Sequence, residues 1–221
     1  PRAETAVLDA TLSPPVRRYV AQVAEALPPG TRLEFMQSNG GLTDAADFQG
    51  KDSVLSGPAG GLMGMAKVGR AAHQKGLIVG RGGNISIRLG SQEFISTAHS
   101  AALGFLKPSD FLVMNVTGEV IEGSGKPSTE SKLHGTIYRE TEAGAVVHLH
   151  PPCTSVLAVK GIEIHPMTFE SSLFLGKSIP IIPQESPSVT RVEEVIDALK
   201  LSKISILKEH GTVAVGDELW D

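Results

Sequence analysis

The chain has 221 residues, a net charge of −4 and a hydrophobic fraction of 41%, which suits one full domain with an appendage or two small domains and excludes global disorder. The acidic balance disfavours a nucleic-acid-binding domain, and no apolar run reaches the roughly 18 residues that span a bilayer. PRAETAVLDA has no basic region followed by an apolar stretch, so no signal peptide is expected, and the lone Cys153 excludes an intrachain disulfide and fits a reducing cytoplasm.

In chain order, Ser13 reads as a helix cap with Pro14 and Pro15 in the first turn, and Val16, Tyr19, Val20, Val23 and Leu27 recur at helical spacing. Pro28-Pro29-Gly30 stops that helix, Leu33–Met36 reads as a short strand, and Ser38-Asn39-Gly40-Gly41 as a turn. Ser56-Gly57-Pro58-Ala59-Gly60-Gly61 reads as a tight loop before a helix, or as a glycine loop whose amides could approach an anion. A seam near residues 56–62 divides the chain into 1–60 and 61–221.

Beyond the seam a helix is predicted over Gly61–Lys75, ended by Gly76. Strands are predicted at Ile85–Leu89, Glu93–Ser96, Phe111–Asn115, Ala145–His150, Ile204–Lys208 and Thr212–Val215, with helices at Ser128–Glu140 and Arg191–Leu201. Helices and strands mix without strict βαβ alternation, so the expectation is an α/β layered domain. Its central sheet would be mixed and largely antiparallel, flanked by helices, with a small N-terminal helix–strand appendage.

The sharpest local feature is His148-Leu149-His150. On a strand, residues i and i+2 share a face, so two imidazoles at a strand end make half of a metal site. The same pair also fits a packed core or surface position, and spacing alone leaves both readings open. His210, before Gly211 and between two predicted strands, could supply a third ligand, and Glu130 a carboxylate. Such a set suits a borderline divalent ion such as zinc. His73, His99, His134 and His165 are spare candidates, with His134 either a partner to a ligand or part of a solvated helix face. Gly80–Ser86 places glycine amides and the Asn84 side chain between a helix and a strand. Ser128 and Thr129 form either an anion seat at a helix start or simple caps.

Two resemblances organise these features. VLDATLSP, FMQSNGGL and GKDSVLSGPAGG, over about residues 1–66, resemble a segment of the hydantoinase A/5-oxoprolinase family of ATP-using enzymes. The piece is too short for both halves of a nucleotide cleft, so ATP hydrolysis is not carried over. KGLIVGRGGNISIR, KPSTESKLHGTIYRE, GAVVHLHPP and KEHGTVAVG, over about residues 62–221, resemble the class II aldolase/adducin family, of which L-fuculose-1-phosphate aldolase is the type.

The second resemblance implies a zinc-dependent (or other divalent-metal) lyase. It would make or break a C–C bond in a small sugar phosphate or hydroxy-keto acid through a metal-stabilised enediolate. It assigns metal binding to His148, His150 and His210. Glu130 becomes the acid/base residue and a possible further ligand, and Gly83, Asn84, Ser128 and Thr129 bind substrate phosphate or carboxylate. It also implies a homo-oligomer, a tetramer by family habit, and allows decarboxylase or dehydratase variants. The rival readings are a non-catalytic module like the adducin head, or a fragment of the ATP-dependent enzyme.

The sequence departs from the family pattern at four places. Thr97-Ala98-His99-Ser100-Ala101 lacks the glycine of the usual phosphate clasp, which admits a carboxylate or sugar acid in place of a phosphate. Arg139–Gly144 is one residue short. The family's C-terminal helix is expected to be truncated, leaving Trp220 exposed. Phe169 stands near the place of the family's aromatic proton donor and cannot donate a proton.

Overall fold

The computed structural model describes residues 2–53 and 56–221, leaving aside the side chains of residues 2–8 and 56–58. Val54 and Leu55 of GKDSVLSGPAGG, and the side chains of Val7 and Leu8 in VLDATLSP, therefore lie outside the described residues. The chain divides into two compact units, Pro1–Gly64 and Met65–Asp221. No helix among the described residues is long and apolar enough to cross a membrane.

In the first unit, helix α1 spans Arg2–Ala26 and runs through Pro14 and Pro15. This corrects the helix start expected at Ser13. Two prolines remove two amide donors, but the turn around them is held from outside. Gly50 N–H donates to Ser13 Oγ (2.9 Å), and Ser13 Oγ donates to Asp9 Oδ1 (2.8 Å). Lys51 N–H also donates to Asp9 Oδ1, at 3.1 Å. Ser13 thus lies inside α1 and holds the first amide of the short helix α2 (Gly50–Ser53). Strands β1 (Glu34–Met36) and β2 (Leu42–Asp44) form an antiparallel pair around the expected turn, and Phe35 stacks on Phe48 with centroids 5.0 Å apart. Helix α3 spans Ser56–Gln74, so the segment read as a glycine loop is its opening turns. Gly76 follows its end with φ +68°, as a C-terminal stop requires.

The second unit is built on strands β3 (Asn84–Arg88), β4 (Glu93–Thr97), β5 (Phe111–Asn115), β6 (Val120–Glu122), β7 (Ala145–Leu149), β8 (Ile181–Ile182), β9 (Ile204–Leu207) and β10 (Gly211–Gly216). Among the described residues they form one eight-stranded sheet, β6-β5-β4-β3-β7-β10-β9-β8. All its pairs are antiparallel except β8–β9. The expected mixed, largely antiparallel sheet is therefore present.

Helices α4 (Ser131–Glu140) and α7 (Val192–Leu201) supply Leu133, Ile137, Tyr138, Val195, Ile196 and Leu199 to a core with Phe94, Leu112, Met114, Val146, Leu207 and Val213. Their apolar residues recur every three to four positions, so one stripe faces the sheet. Helices α5 (Pro152–Val159) and α6 (Phe169–Leu175), with β6 and β8, were not expected from the sequence. Those strands are two or three residues long, too short for alternation to show. Helix α4 starts at Ser131 rather than Ser128, and Glu130 occupies its N-cap position with no side-chain cap bond.

Candidate metal centre and active site

His148 lies on β7, near the centre of the sheet, opposite Asn84 of β3 and Val213 of β10. His150 follows two residues later at the strand end. His210 sits in the tight turn between β9 and β10, where its amide donates to Leu207 O at 3.0 Å. The register Thr212↔Leu149 carries that turn alongside the end of β7. As a result the three rings meet, with centroids 4.7 Å apart for His148–His150, 4.8 Å for His148–His210 and 5.2 Å for His150–His210. One ligand nitrogen from each lies within 4.8 Å of the others.

Glycines make room for this cluster. A Cβ on Gly211 would lie 2.6 Å from His150 Cδ2, and one on Gly82 would lie 2.7 Å from His150 Nδ1. Gly83, at φ +82°, passes so close to β7 that a Cβ would lie 2.6 Å from His148 O. The close approach expected at Gly211 is present. The left-handed residue of that turn is instead Glu209, at φ +62°.

His148 Nδ1–H donates to Thr212 O at 2.9 Å, which leaves the lone pair on Nε2. Nε2 of His148 stands 2.9 Å from Nε2 of His150. Burial, reinforced by the neighbouring imidazoles, holds His148 well below the ordinary histidine pKa. Burial lowers His150 and, with the charge of His150, brings His210 to about 4. At neutral pH all three are neutral, the form that ligates a metal.

His210 Nδ1 is buried with no partner among the described residues. Three ligand nitrogens gathered within 4.8 Å, that of His148 oriented by a backbone carbonyl, fit a divalent cation. Two bonds of about 2.0–2.1 Å at a tetrahedral angle put donors roughly 3.3 Å apart.

Glu130 stands outside that three-nitrogen cluster. It is 4% exposed, Oε2 accepts from Val189 N–H at 3.4 Å, and Oε1 has no partner among the described residues. Burial raises its pKa, against the lowering pull of the Val189 amide and the Thr129 hydroxyl. Asn84 Nδ2 donates to Ser128 Oγ at 3.1 Å, and the same oxygen accepts from Glu130 N–H at 3.3 Å. Gly83, Asn84 and Ser128 thus lie on one laced loop system, while Thr129 is exposed beside it. Bonds from His99 N–H to Lys126 O (2.8 Å) and from Arg81 Nη1 to Ser100 O (2.9 Å) tie the departed clasp into the same system.

His134 is not on a solvated face. It is fully buried, with Nδ1 2.7 Å from Ser86 Oγ, which is itself 2.7 Å from the Tyr138 hydroxyl. The polar roles of Ser86, Tyr138 and Arg88 do not follow from the motifs that mark the metal site. The signal was the alternation Asn84-x-Ser86-x-Arg88, a polar face on a strand at period 2. His73 packs edge-on against Phe105, His165 pairs with Glu163, and His99 is exposed, so none of them joins the cluster. Phe169 is 100% exposed, and Trp220 is also exposed.

The sequence profile of the family described as Class II Aldolase and Adducin N-terminal domain matches residues 63–221, and that of Hydantoinase/oxoprolinase matches residues 2–84. An L-fuculose phosphate aldolase of Methanocaldococcus jannaschii is 35% identical over 156 residues, 70% of this chain and 83% of that protein. A 3-oxo-tetronate 4-phosphate decarboxylase of Haemophilus influenzae is 30% identical over 164 residues, 71% of this chain and 77% of that protein. The crystal structure of L-fuculose-1-phosphate aldolase from Thermus thermophilus aligns with a TM-score of 0.63 at 30% identity, covering 71% of this chain and 79% of that one. Fold, converging histidines and sequence agree over the same residues: the chain belongs to the class II aldolase/adducin family and is a lyase of the class II aldolase type.

Proposed function

We propose that residues 61–221 form a zinc-dependent lyase that cleaves or forms a C–C bond beside a carbonyl, in a small sugar phosphate or hydroxy-keto acid. The observation that carries this reading is the meeting of three neutral imidazoles, His148, His150 and His210, within 4.8 Å. These residues would hold the ion, which when bound supplies Lewis-acid withdrawal of charge from substrate oxygens.

The chain's own residues do the rest. Gly83 and Asn84 on one side, and Ser128 and Thr129 on the other, would receive the phosphate or carboxylate and fix the reacting carbons against the cluster. The Ser128 hydroxyl accepts two bonds and keeps its proton free to donate to an anion. In the cleavage direction the hydroxyl on the departing carbon gives its proton to solvent as that carbon becomes a carbonyl, the electron pair of the broken C–C bond stays with the fragment that already carried the carbonyl, and a proton must be delivered to the carbon left with that pair. Glu130 Oε1, buried and unpaired, would hold and deliver it. Burial favours its neutral form, so the carboxyl can carry a proton closer to neutrality than an exposed glutamate.

Decarboxylation is the second reading, supported by the relative named as a decarboxylase. Retention of the three histidines and Glu130 speaks against a metal-free, adducin-head-like module. A cytoplasmic homotetramer acting on a small molecule, with residues 1–60 as a hydantoinase A-like appendage, completes the proposal.

The test is an assay of the metal-loaded protein for cleavage of L-fuculose 1-phosphate and for CO2 release from 3-oxo-tetronate 4-phosphate. Turnover of either that is abolished by a chelator and restored by Zn2+ supports the reading. Chelator-insensitive turnover, or none with either compound and Zn2+, contradicts it.

A further inference from the structure

Ser86 lies on the side of β3 that also carries Asn84 and Arg88, and its hydroxyl joins His134 Nδ1 and the Tyr138 hydroxyl, each at 2.7 Å. All three residues are buried. The order of protons along this chain follows from counting donors. The Tyr138 hydroxyl faces Ser86 Oγ and the Val146 amide. An amide N–H cannot accept, so the phenol proton goes to Ser86; a buried hydroxyl donating to nothing would forfeit a bond in a dry interior. Ser86 then has its own proton to give, and His134 Nδ1 accepts it. Burial keeps the ring neutral, with a pKa near 3, so its one proton is on Nε2.

That Nε2–H is buried with no acceptor among the described residues. One helical turn toward the N-terminus, Glu130 Oε1 is a buried acceptor with no donor. Residues four apart share a helix face, and side chains lean toward the preceding turn. Asn84 Oδ1, two residues before Ser86 on the same strand face, is a third buried polar atom without a partner. A buried donor on α4 and two buried acceptors, at the start of α4 and on β3, are each left without the partner that a bridging water would supply.

We propose that His134 is a positioning residue for Glu130. Held as the Nε2–H tautomer by the Tyr138–Ser86 chain, it donates through one buried water to Glu130 Oε1 and fixes the orientation of that carboxylate. The catalytic consequence rests on the reading of Glu130 as the proton-transfer residue, whereas the hydrogen-bond arrangement does not.

Three measurements test it. Nitrogen-15 NMR of the histidine-labelled, metal-free protein should show His134 as a neutral Nε2–H imidazole that does not titrate between about pH 5 and 8; the Nδ1–H tautomer would overturn the proposal. A high-resolution crystal structure of the metal-free protein should show a water within about 3.2 Å of both Nε2 and Oε1, and a dry gap would overturn it. The third measurement compares His134→Asn, which still reaches Ser86 but has no donor at the Nε2 position, with His134→Gln, whose amide nitrogen reaches that position. On L-fuculose 1-phosphate with Zn2+, the Asn variant should lose about 100-fold in kcat with KM and metal content unchanged, and the Gln variant about 10-fold or less. Equal losses in both, or losses that follow Tm, would assign His134 a merely structural role. Absence of turnover in the wild type would tell against the role of Glu130, leaving the tautomer and the water to decide the arrangement.

Discussion

Asn84 and His148 are register partners across β3 and β7, and the Asn84 side chain donates to Ser128 Oγ, two residues before Glu130. One strand pair therefore sets the spacing between the metal-ligand strand and the loop that carries the carboxylate. Asn84→Ala should raise KM more than it lowers kcat, because the anion seat loses a donor, and should destabilise the fold by about 1–3 kcal/mol by leaving Ser128 less bonded in a buried site. Steady-state kinetics and urea unfolding measure the two effects.

Gly211 and Gly82 flank His150 too closely for any side chain. A Cβ on Gly211 would also lie 2.3 Å from Leu149 O, so Gly211→Ala should force β7 and β10 apart as well as displace the His150 ring, and weaken metal affinity about 10–100-fold. Competition with a chromogenic chelator measures this. Gly90, whose added Cβ would meet nothing within 4 Å, provides the control, since Gly90→Ala should leave affinity unchanged.

Arg88 donates to Ala143 O (2.7 Å), Tyr138 O (2.8 Å) and Thr141 O (2.8 Å), and its guanidinium lies 5.0 Å from the Tyr138 ring centre. It closes the C-terminal end of α4 while Ser86 and Asn84 hold its middle and start. Arg88→Met should cost about 2–4 kcal/mol, since three half-buried carbonyls lose a charged donor. The change should appear as a lower midpoint in denaturant unfolding at an unchanged slope.

Acid should destabilise the metal-free protein through His134. Its folded pKa, near 3, is depressed below the ordinary 6.5 by burial. As pH falls below about 6.5 the unfolded chain takes up a proton that the folded ring refuses, so stability drops by roughly 1.4 kcal/mol per pH unit until about pH 3. His134→Gln removes this term, so its stability should fall less steeply over that window. Chemical denaturation at several pH values gives both slopes.

Much of this was legible in the sequence because it depends on short-range pattern. His-x-His on a strand fixes a shared face, and Gly211 beside His210 marks a close approach. The α4 and α7 stripes appear in Leu133, Ile137 and Tyr138 and in Val195, Ile196 and Leu199. What escaped depends on partners distant in the chain. Pro14 and Pro15 signal a helix start locally, yet α1 continues because Asp9 and Ser13 are bonded by Gly50 and Lys51. His134 looks like a polar helix residue until Ser86, 48 positions earlier, is placed beneath it. The start of α4 moved to Ser131 because Ser128 turns to Asn84, and so serves as an anchor in the loop and not as a cap.

The central claim is that His148, His150 and His210 form one metal centre. Elemental mass spectrometry of the purified protein after Zn2+ loading and removal of free metal, beside His148→Ala/His150→Ala treated identically, tests it most directly. About one zinc per wild-type chain is expected, and none above background in the double variant, because three histidine ligands are needed to hold the ion. A wild type that takes up no metal, or a double variant that keeps it, would contradict the account.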